Sequence, residues 1–380
     1  MQTVGIICEY NPFHLGHQKQ LDAIRAQYGQ DATIVCLMSG NFVQRGHPAV
    51  FDKMRRAEAA LGCGADLVLE LPITYALSSA EGFAAGGVGI LSRLCDTLCF
   101  GAETADAQLL MDTATALLSD RFPEALRAHL DAGLSFPAAR QAALSDLGMD
   151  AAILESPNNI LAVEYCKAIL RQKSPVEVFP IHRGGDYHDT VPDSENPSAT
   201  AIRSRIAEKE SWGDFVPAAA HNAFENGTVH ALKNGEKAIL AKLRTMTDED
   251  FESIPYGSEG LWRKLMHASR AEGSLENILS SVKSKRYTRT RLDRMVMCAF
   301  LGITAQALSS PAPYARVLGF NSRGRSVLSA NRESGFLRNI GEDTQDAYQE
   351  LERRSTALYG LFAEIPEAPD AEAQYRVIVK

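Results

Sequence analysis

The stretch Gly5-Ile6-Ile7-Cys8-Glu9-Tyr10-Asn11-Pro12-Phe13-His14-Leu15-Gly16-His17 decides the fold of the N-terminal half. Its apolar start, Thr3 to Cys8, reads as a buried strand. Asn11-Pro12 marks a sharp turn, and residues 15–28 read as a helix. A strand entering a helix through a tight loop gathers free backbone N–H groups and the positive end of a helix dipole at one point, which makes an anion site. Gly16 lets the backbone approach a phosphate closely. His14 and His17, three residues apart, share one helix face. As donors they can hold a triphosphate and offset charge as an α-phosphorus becomes five-coordinate. The chemistry implied is attack on the α-phosphate of ATP, with pyrophosphate leaving.

Working outward, strand and helix alternate. Ala32 to Met38 is a second strand and residues 52–62 a helix. Ala65 to Leu71 is a third strand, ended by Pro72. Residues 79–93 are helical, Thr97 to Phe100 is a short fourth strand, and Val176 to Ile181 a fifth. Between the last two, residues 104–149 read as helix broken near Pro123, Gly133 and Pro137, followed by an amphipathic helix over 158–171. This alternation predicts βαβ units with right-handed connections and a parallel sheet covered on both faces. The expectation is an α/β, Rossmann-like domain over residues 1–210. After Trp212 and Pro217, residues 219–307 read as successive helices, so 219–380 is expected to be a mainly helical domain. Ala315 to Phe320 fits a short strand or a helix.

The 380 residues are 45% hydrophobic and 23% charged, enough for two ordinary domains. A net charge of −8 argues against a nonspecific DNA binder. Seven cysteines without a Cys-x-x-Cys pair read as buried reduced thiols, and no zinc site is expected. The N-terminus has no basic-then-apolar leader, and no run reaches the ~20 apolar residues of a membrane span. The expectation is a soluble, cytoplasmic protein without a membrane partner. No acidic cluster demands a metal site, although ATP usually arrives with Mg2+.

Further motifs fall at the ends of these elements. In Ser198-Ala199-Thr200-Ala201-Ile202-Arg203, a hydroxyl can cap a helix whose first turn presents Arg203 to a β- or γ-phosphate. A plain capped helix would look the same. Phe100-Gly101-Ala102-Glu103 ends the fourth strand, where ligands bind in open α/β sheets; Gly101 would admit adenine or ribose. In Ser156-Pro157-Asn158-Asn159, capping accounts for one amide and Asn158 is assigned to the nucleotide. Arg183 ends the fifth strand on the same edge. The polar loop Ser39–Ala49 suits a second substrate, and Lys53 just beyond it is a candidate catalytic residue. Finally, residues 283–294 carry six basic side chains against one acid: Lys283, Lys285, Arg286, Arg289, Arg291 and Arg294 against Asp293. With Tyr287 among them, they suit phosphate contact and base stacking; a solvated helix face is the plainer alternative.

Together these segments resemble the bacterial tRNA(Met) cytidine acetate ligase family, within the superfamily that carries His-x-Gly-His. The resemblance rests on the opening stretch, Ser39–Gly46, Gly64–Pro72, Ser156–Ala162 and Lys285–Arg291, and runs over nearly the whole chain. Cys8 and Leu15 stand where the family pattern has Ala or Val and Asn; both lie between the key residues. The resemblance implies activation of acetate with ATP as acetyladenylate, then acetylation of N4 of the wobble cytidine of elongator tRNA(Met). ATP contacts would come from Ile7 to Gln20, including Glu9, Tyr10, Asn11, Pro12, Phe13, His14, Gly16 and His17, and from Gly101, Asn158 and Arg183. Thr200 and Arg203 match the superfamily's late Ser-x-Thr-x-x-Arg element. The rival reading is a small-molecule adenylyltransferase, which would not need the helical half or its basic segment.

Overall fold

The computed structural model describes residues 2–183, 197–284 and 287–380. Five parallel strands build the centre: β1 (Thr3–Cys8), β2 (Thr33–Ser39), and, after the small antiparallel hairpin of β3 (Phe42–Val43) and β4 (His47–Pro48), β5 (Leu67–Leu71), β6 (Thr97–Ala102) and β7 (Glu177–His182). The spatial order β5-β2-β1-β6-β7 reverses direction between β1 and β6. That reversal leaves a crevice at the carboxyl ends of β1 and β6. The five strands begin and end within two residues of the sequence expectation.

Every residue of β2 and β5 is buried. Side chains alternate between the faces, as a period of two demands. Ile7, Val35, Leu37, Leu67 and Leu69 pack with Phe83, Val88 and Val163 on one side. Val4, Ile6, Ile34, Cys36 and Met38 pack with Leu21, Ala57 and Ile202 on the other. Helix starts are fixed by side-chain caps: Asp52 accepts from the N–H groups of Met54 and Arg55, and Ser198 from that of Ala201.

The C-terminal half is mainly helical, as expected, and it also completes the main sheet. Its helices between Leu232 and Leu301 do form their own core, with Ile239, Leu265, Ile278, Met295 and Phe300. That core also takes in Phe42, Ile73 and Leu77 from the N-terminal half. The chain then returns to the main sheet. β8 (Ala315–Phe320) pairs antiparallel with β5, and β9 (Leu337–Asn339) and β10 (Ile378–Val379) pair parallel with β8. The sheet therefore draws on both ends of the chain. Among the described residues, no helix is long and apolar enough to cross a membrane, and all seven cysteines are buried and unpaired.

A buried charge network ties this late addition down. Lys53 lies 3.0 Å from Glu70 on β5 and 2.7 Å from Glu372. Arg316 on β8 pairs with Glu70 at 2.6 Å, with Glu352 at 3.2 Å, and with Glu372. Glu352 accepts from the backbone N–H of Ile73 at 2.9 Å, and Thr356 donates to Glu372 at 2.5 Å. Lys53, a candidate catalytic residue from the sequence, sits within this network. Its ammonium is spent on two carboxylates in the interior, and it does not line the cleft described below.

Candidate active site

A cleft of about 1260 Å³ opens at the carboxyl ends of β1 and β6. Ile7, Glu9, Tyr10, Asn11, His14, Gly16, His17 and Gln20 line it from the first loop and helix, and Gly101, Asn158 and Arg183 from the β6–β7 side. Thr200 and Arg203 close it from the helix Ala199–Ala207. These residues come from five separate chain segments, and the sheet reversal brings them together. Pro12 and Phe13 do not reach the wall. Phe13 is instead fully buried beneath the loop, edge-on to Tyr10 at 4.7 Å.

The two histidines are held by the backbone. His14 caps the helix Leu15–Tyr28, its Nδ1 accepting from the N–H of Gly16 at 3.1 Å. His17 Nδ1 accepts from the N–H of His14 at 3.2 Å. The rings stack with centroids 3.7 Å apart and planes 27° apart. A Cβ at position 16 would fall 2.9 Å from the His14 ring, so glycine makes this cap possible. A nitrogen that accepts a hydrogen bond carries no proton, so each neutral ring places its N–H at Nε2. His14 Nε2 is buried and has no hydrogen-bond partner among the described residues.

Burial, reinforced by Arg183 and Arg203, lowers the His14 imidazole to about 3. Burial, then the neighbouring His14 and Arg183, holds His17 well below its usual range. Both rings are therefore neutral near pH 7, and the positive charge at this end of the cleft belongs to the arginines. Arg203 donates to the Asn11 carbonyl at 2.8 Å and to Thr200 at 3.1 Å. Arg183 donates to Asn158 Oδ1 at 3.3 Å, and Asn158 in turn donates to Glu103 at 2.7 Å. Neither amide caps the helix Pro157–Gln172, which starts at Ser156 without a side-chain cap; Asn159 instead accepts from the Thr104 N–H at 2.9 Å.

The loop itself is braced from behind. Asn11 Oδ1 accepts from the Val50 N–H at 2.8 Å. Arg56, fully buried, donates to the carbonyls of Glu9, Ser39, Gly40 and Phe51. The loop Ser39–Ala49 does reach the cleft, through Val43, Gln44, Arg45, His47 and Pro48. Sequence reasoning missed a further wall, Thr228–Asn234 with Glu364, Ile365 and Glu367. No local pattern marks these turns, which reach the cleft only through tertiary packing.

The basic segment does not present the cation row that its sequence suggests. Arg289 is clamped by Glu276, at 2.7 and 2.8 Å, and by Asp293 at 2.9 Å. Hydrogen bonding to Glu276 holds its guanidinium firmly charged. Arg291 donates to the Tyr256 carbonyl at 2.8 Å and to Ser258 at 3.0 Å. Tyr287 is buried, not offered for base stacking. Lys283 is exposed; Lys285 and Arg286 lie outside the described residues. The segment nevertheless touches the cleft from outside. Gly46, at φ +80°, packs so closely that a Cβ would fall 2.5 Å from the Arg294 backbone nitrogen. His47 lies 3.6 Å from Asp293, and Arg294 donates to the Gln44 carbonyl at 3.4 Å. The hairpin of β3 and β4 thus rests one face on the basic helix Arg289–Leu301 and gives the other to the cleft.

The HIGH Nucleotidyl Transferase family model matches residues 1–374. The chain is 36% identical to the tRNA(Met) cytidine acetate ligase of Clostridium perfringens over 95% of both chains. It is 38% identical to that of Acetivibrio thermocellus over 89% of this chain and 87% of the other. Among solved structures, Thermotoga maritima TmcAL without ligand matches with a TM-score of 0.89 at 31% identity, covering all of both chains. The same protein bound with alpha-thio ATP matches with a TM-score of 0.87 at 30% identity, again over the full length of both. With this agreement of sequence and fold over its whole length, the chain belongs to the tRNA(Met) cytidine acetate ligases of the HIGH nucleotidyl transferase family.

Proposed function

We propose that this protein activates acetate with ATP and transfers the acetyl group to N4 of the wobble cytidine of elongator tRNA(Met). The observation that carries this reading is the pair of stacked imidazoles, each held through Nδ1 by a backbone N–H at the sheet reversal, in the cleft that Arg183 and Arg203 also line. An acetate oxygen attacks the α-phosphorus and pyrophosphate leaves. Nε2–H donors on the phosphate oxygens strengthen as charge builds there in the transition state. Arg203 and Arg183 hold the departing phosphates and the nucleotide edge, with Gly101 and Asn158 at the base and ribose. Magnesium would enter with the ATP phosphates, since their charge calls for it.

In the second step, the cytosine amine attacks the acetyl carbonyl and AMP leaves. Cytosine N4 is a weak nucleophile, so this step depends on positioning. An anticodon base is single-stranded and can be splayed into a cleft. Incubation with labelled acetate, ATP and bulk tRNA tests the reading: label should appear on RNA and require ATP. Acetate-independent exchange of pyrophosphate into ATP, with no label on RNA, would overturn it.

A further inference from the structure

The cleft is larger than its nucleotide half. Small-molecule pockets usually span about 300–1,000 Å³, against about 1260 Å³ here. The additional wall continues directly from the phosphate loop. Val50 donates to Asn11 on one side at 2.8 Å and accepts from the backbone N–H of His230 on the other at 2.9 Å. Beyond His230 the wall carries Val229 and Ile365, two large apolar side chains open to solvent, Ile365 with 81% of its surface exposed. The same wall carries a carboxylate with a built support. His230 is buried and stacks on Tyr359 at 3.9 Å and 19°. Its Nδ1 faces the Thr228 carbonyl at 3.1 Å and its Nε2 faces Glu367 at 3.0 Å. Tyr359 is itself anchored by donating to the Ala49 carbonyl at 2.9 Å. Glu367 remains 36% exposed at the cleft.

We propose that this wall is the acceptor-base subsite: the target cytosine packs against Val229 and Ile365 and donates its N4 amine to Glu367. The inference rests on the acetate ligase reading above. A carboxylate is the side chain suited to a cytosine amino group, and exposed apolar surface suits the face of an unstacked base. In the transfer step, N4 forms a bond to the acetyl carbon and the mixed-anhydride C–O bond to AMP breaks. AMP departs with that electron pair, and the proton lost from N4 passes to Glu367. His230 is a positioning residue that aims the carboxylate.

The two half-reactions separate this proposal from the reading beneath it. In Glu367→Gln, acetate-dependent exchange of pyrophosphate into ATP should continue. Single-turnover acetyl transfer to tRNA should fall by about 100-fold or more, the usual loss for a missing general base, with tRNA binding little changed. Glu367→Asp should recover part of the rate. Ile365→Ser, at a position too exposed to decide folding, should raise the KM for tRNA and leave exchange alone. Wild-type transfer by Glu367→Gln, an equal fall of both half-reactions, or an unchanged tRNA KM in Ile365→Ser would overturn the subsite. Absence of acetate-dependent exchange in the wild-type enzyme would instead overturn the underlying function.

Discussion

Lys53 and Glu372, 319 residues apart in the chain, meet at 2.7 Å in the protein interior. This contact joins the helix that follows the loop Ser39–Ala49 to the C-terminal segment that completes the sheet. Removing one partner of a buried charge network strands the others. Lys53→Met is therefore expected to destabilise the fold by about 3–5 kcal/mol. Chemical denaturation would show this as a lower midpoint. Exchange of pyrophosphate into ATP, scaled to folded protein, should persist. Lost exchange with an unchanged midpoint would return Lys53 to the catalytic set.

The same network makes stability depend on pH with two opposite slopes. Burial opposes ionisation of Glu372, but Lys53 and Arg316 outweigh it and hold the carboxyl at about 2, below the ordinary 4.5. Its contribution is present above pH 4.5 and is lost as pH falls toward 2. Glu352 shows the reverse. Burial raises it to about 7 against the pull of Arg316, so its contribution is present below pH 4.5 and is lost as pH rises through 7. Glu352→Gln should flatten the decline of melting temperature between pH 5 and 8 while leaving the acid limb intact. An unchanged alkaline slope would place the titrating group elsewhere.

The five central strands were legible because each is an apolar run of strand length bounded by turn residues. Of the late strands, β8 was legible only as a strand-or-helix alternative, and β9 and β10 were not legible. β8 carries Arg316 and Gly319 within six residues, and β9 and β10 are three and two residues long. Such segments take their form from the β5 edge they complete. In the site, His14, His17 and Arg203 were legible because they belong to local loop-to-helix patterns. The buried pairing of Lys53 was not legible because its partners, Glu70 and Glu372, are fixed by the fold alone. The clamps on Arg289 and Arg291 escaped notice for the same reason: Glu276 and Tyr256 lie on other elements.

The histidine pair predicts a catalytic pH profile as well as a loss of function. His14→Ala or His17→Ala should each raise the adenylation barrier by about 3 kcal/mol, the usual loss for one oxyanion donor. Because burial keeps His14 neutral down to about 3, wild-type exchange should show no imidazole limb between pH 5.5 and 8. A rate that tracks protonation near 6.5 would mean that the cationic ring is the working form. Stability runs the other way. A lowered imidazole stabilises the fold above its unfolded value near 6.5 and loses that contribution as pH falls toward 3. His14→Ala should therefore soften acid unfolding in that window.

The basic segment divides into cations that are open to a polyanion and cations already engaged. Lys283 is exposed. Arg289 is neutralised by Glu276 and Asp293, and Arg291 is spent on Tyr256 and Ser258. If tRNA is held by counterion release, only cations that meet phosphate contribute to the salt slope. Lys283→Ala should thus weaken tRNA binding and reduce the slope of log affinity against log salt by roughly one unit or less. Arg291→Ala should leave the slope intact and instead lower the melting temperature, because the loop at Tyr256 loses its tie. Arg289→Ala frees Asp293, the neighbour of His47 on the cleft hairpin. Its expected signature is an altered transfer rate at an unchanged slope. If Arg289→Ala and Arg291→Ala each cut the slope as much as Lys283→Ala, both side chains leave their internal partners to meet RNA, and the clamped arrangement is a resting state that tRNA opens.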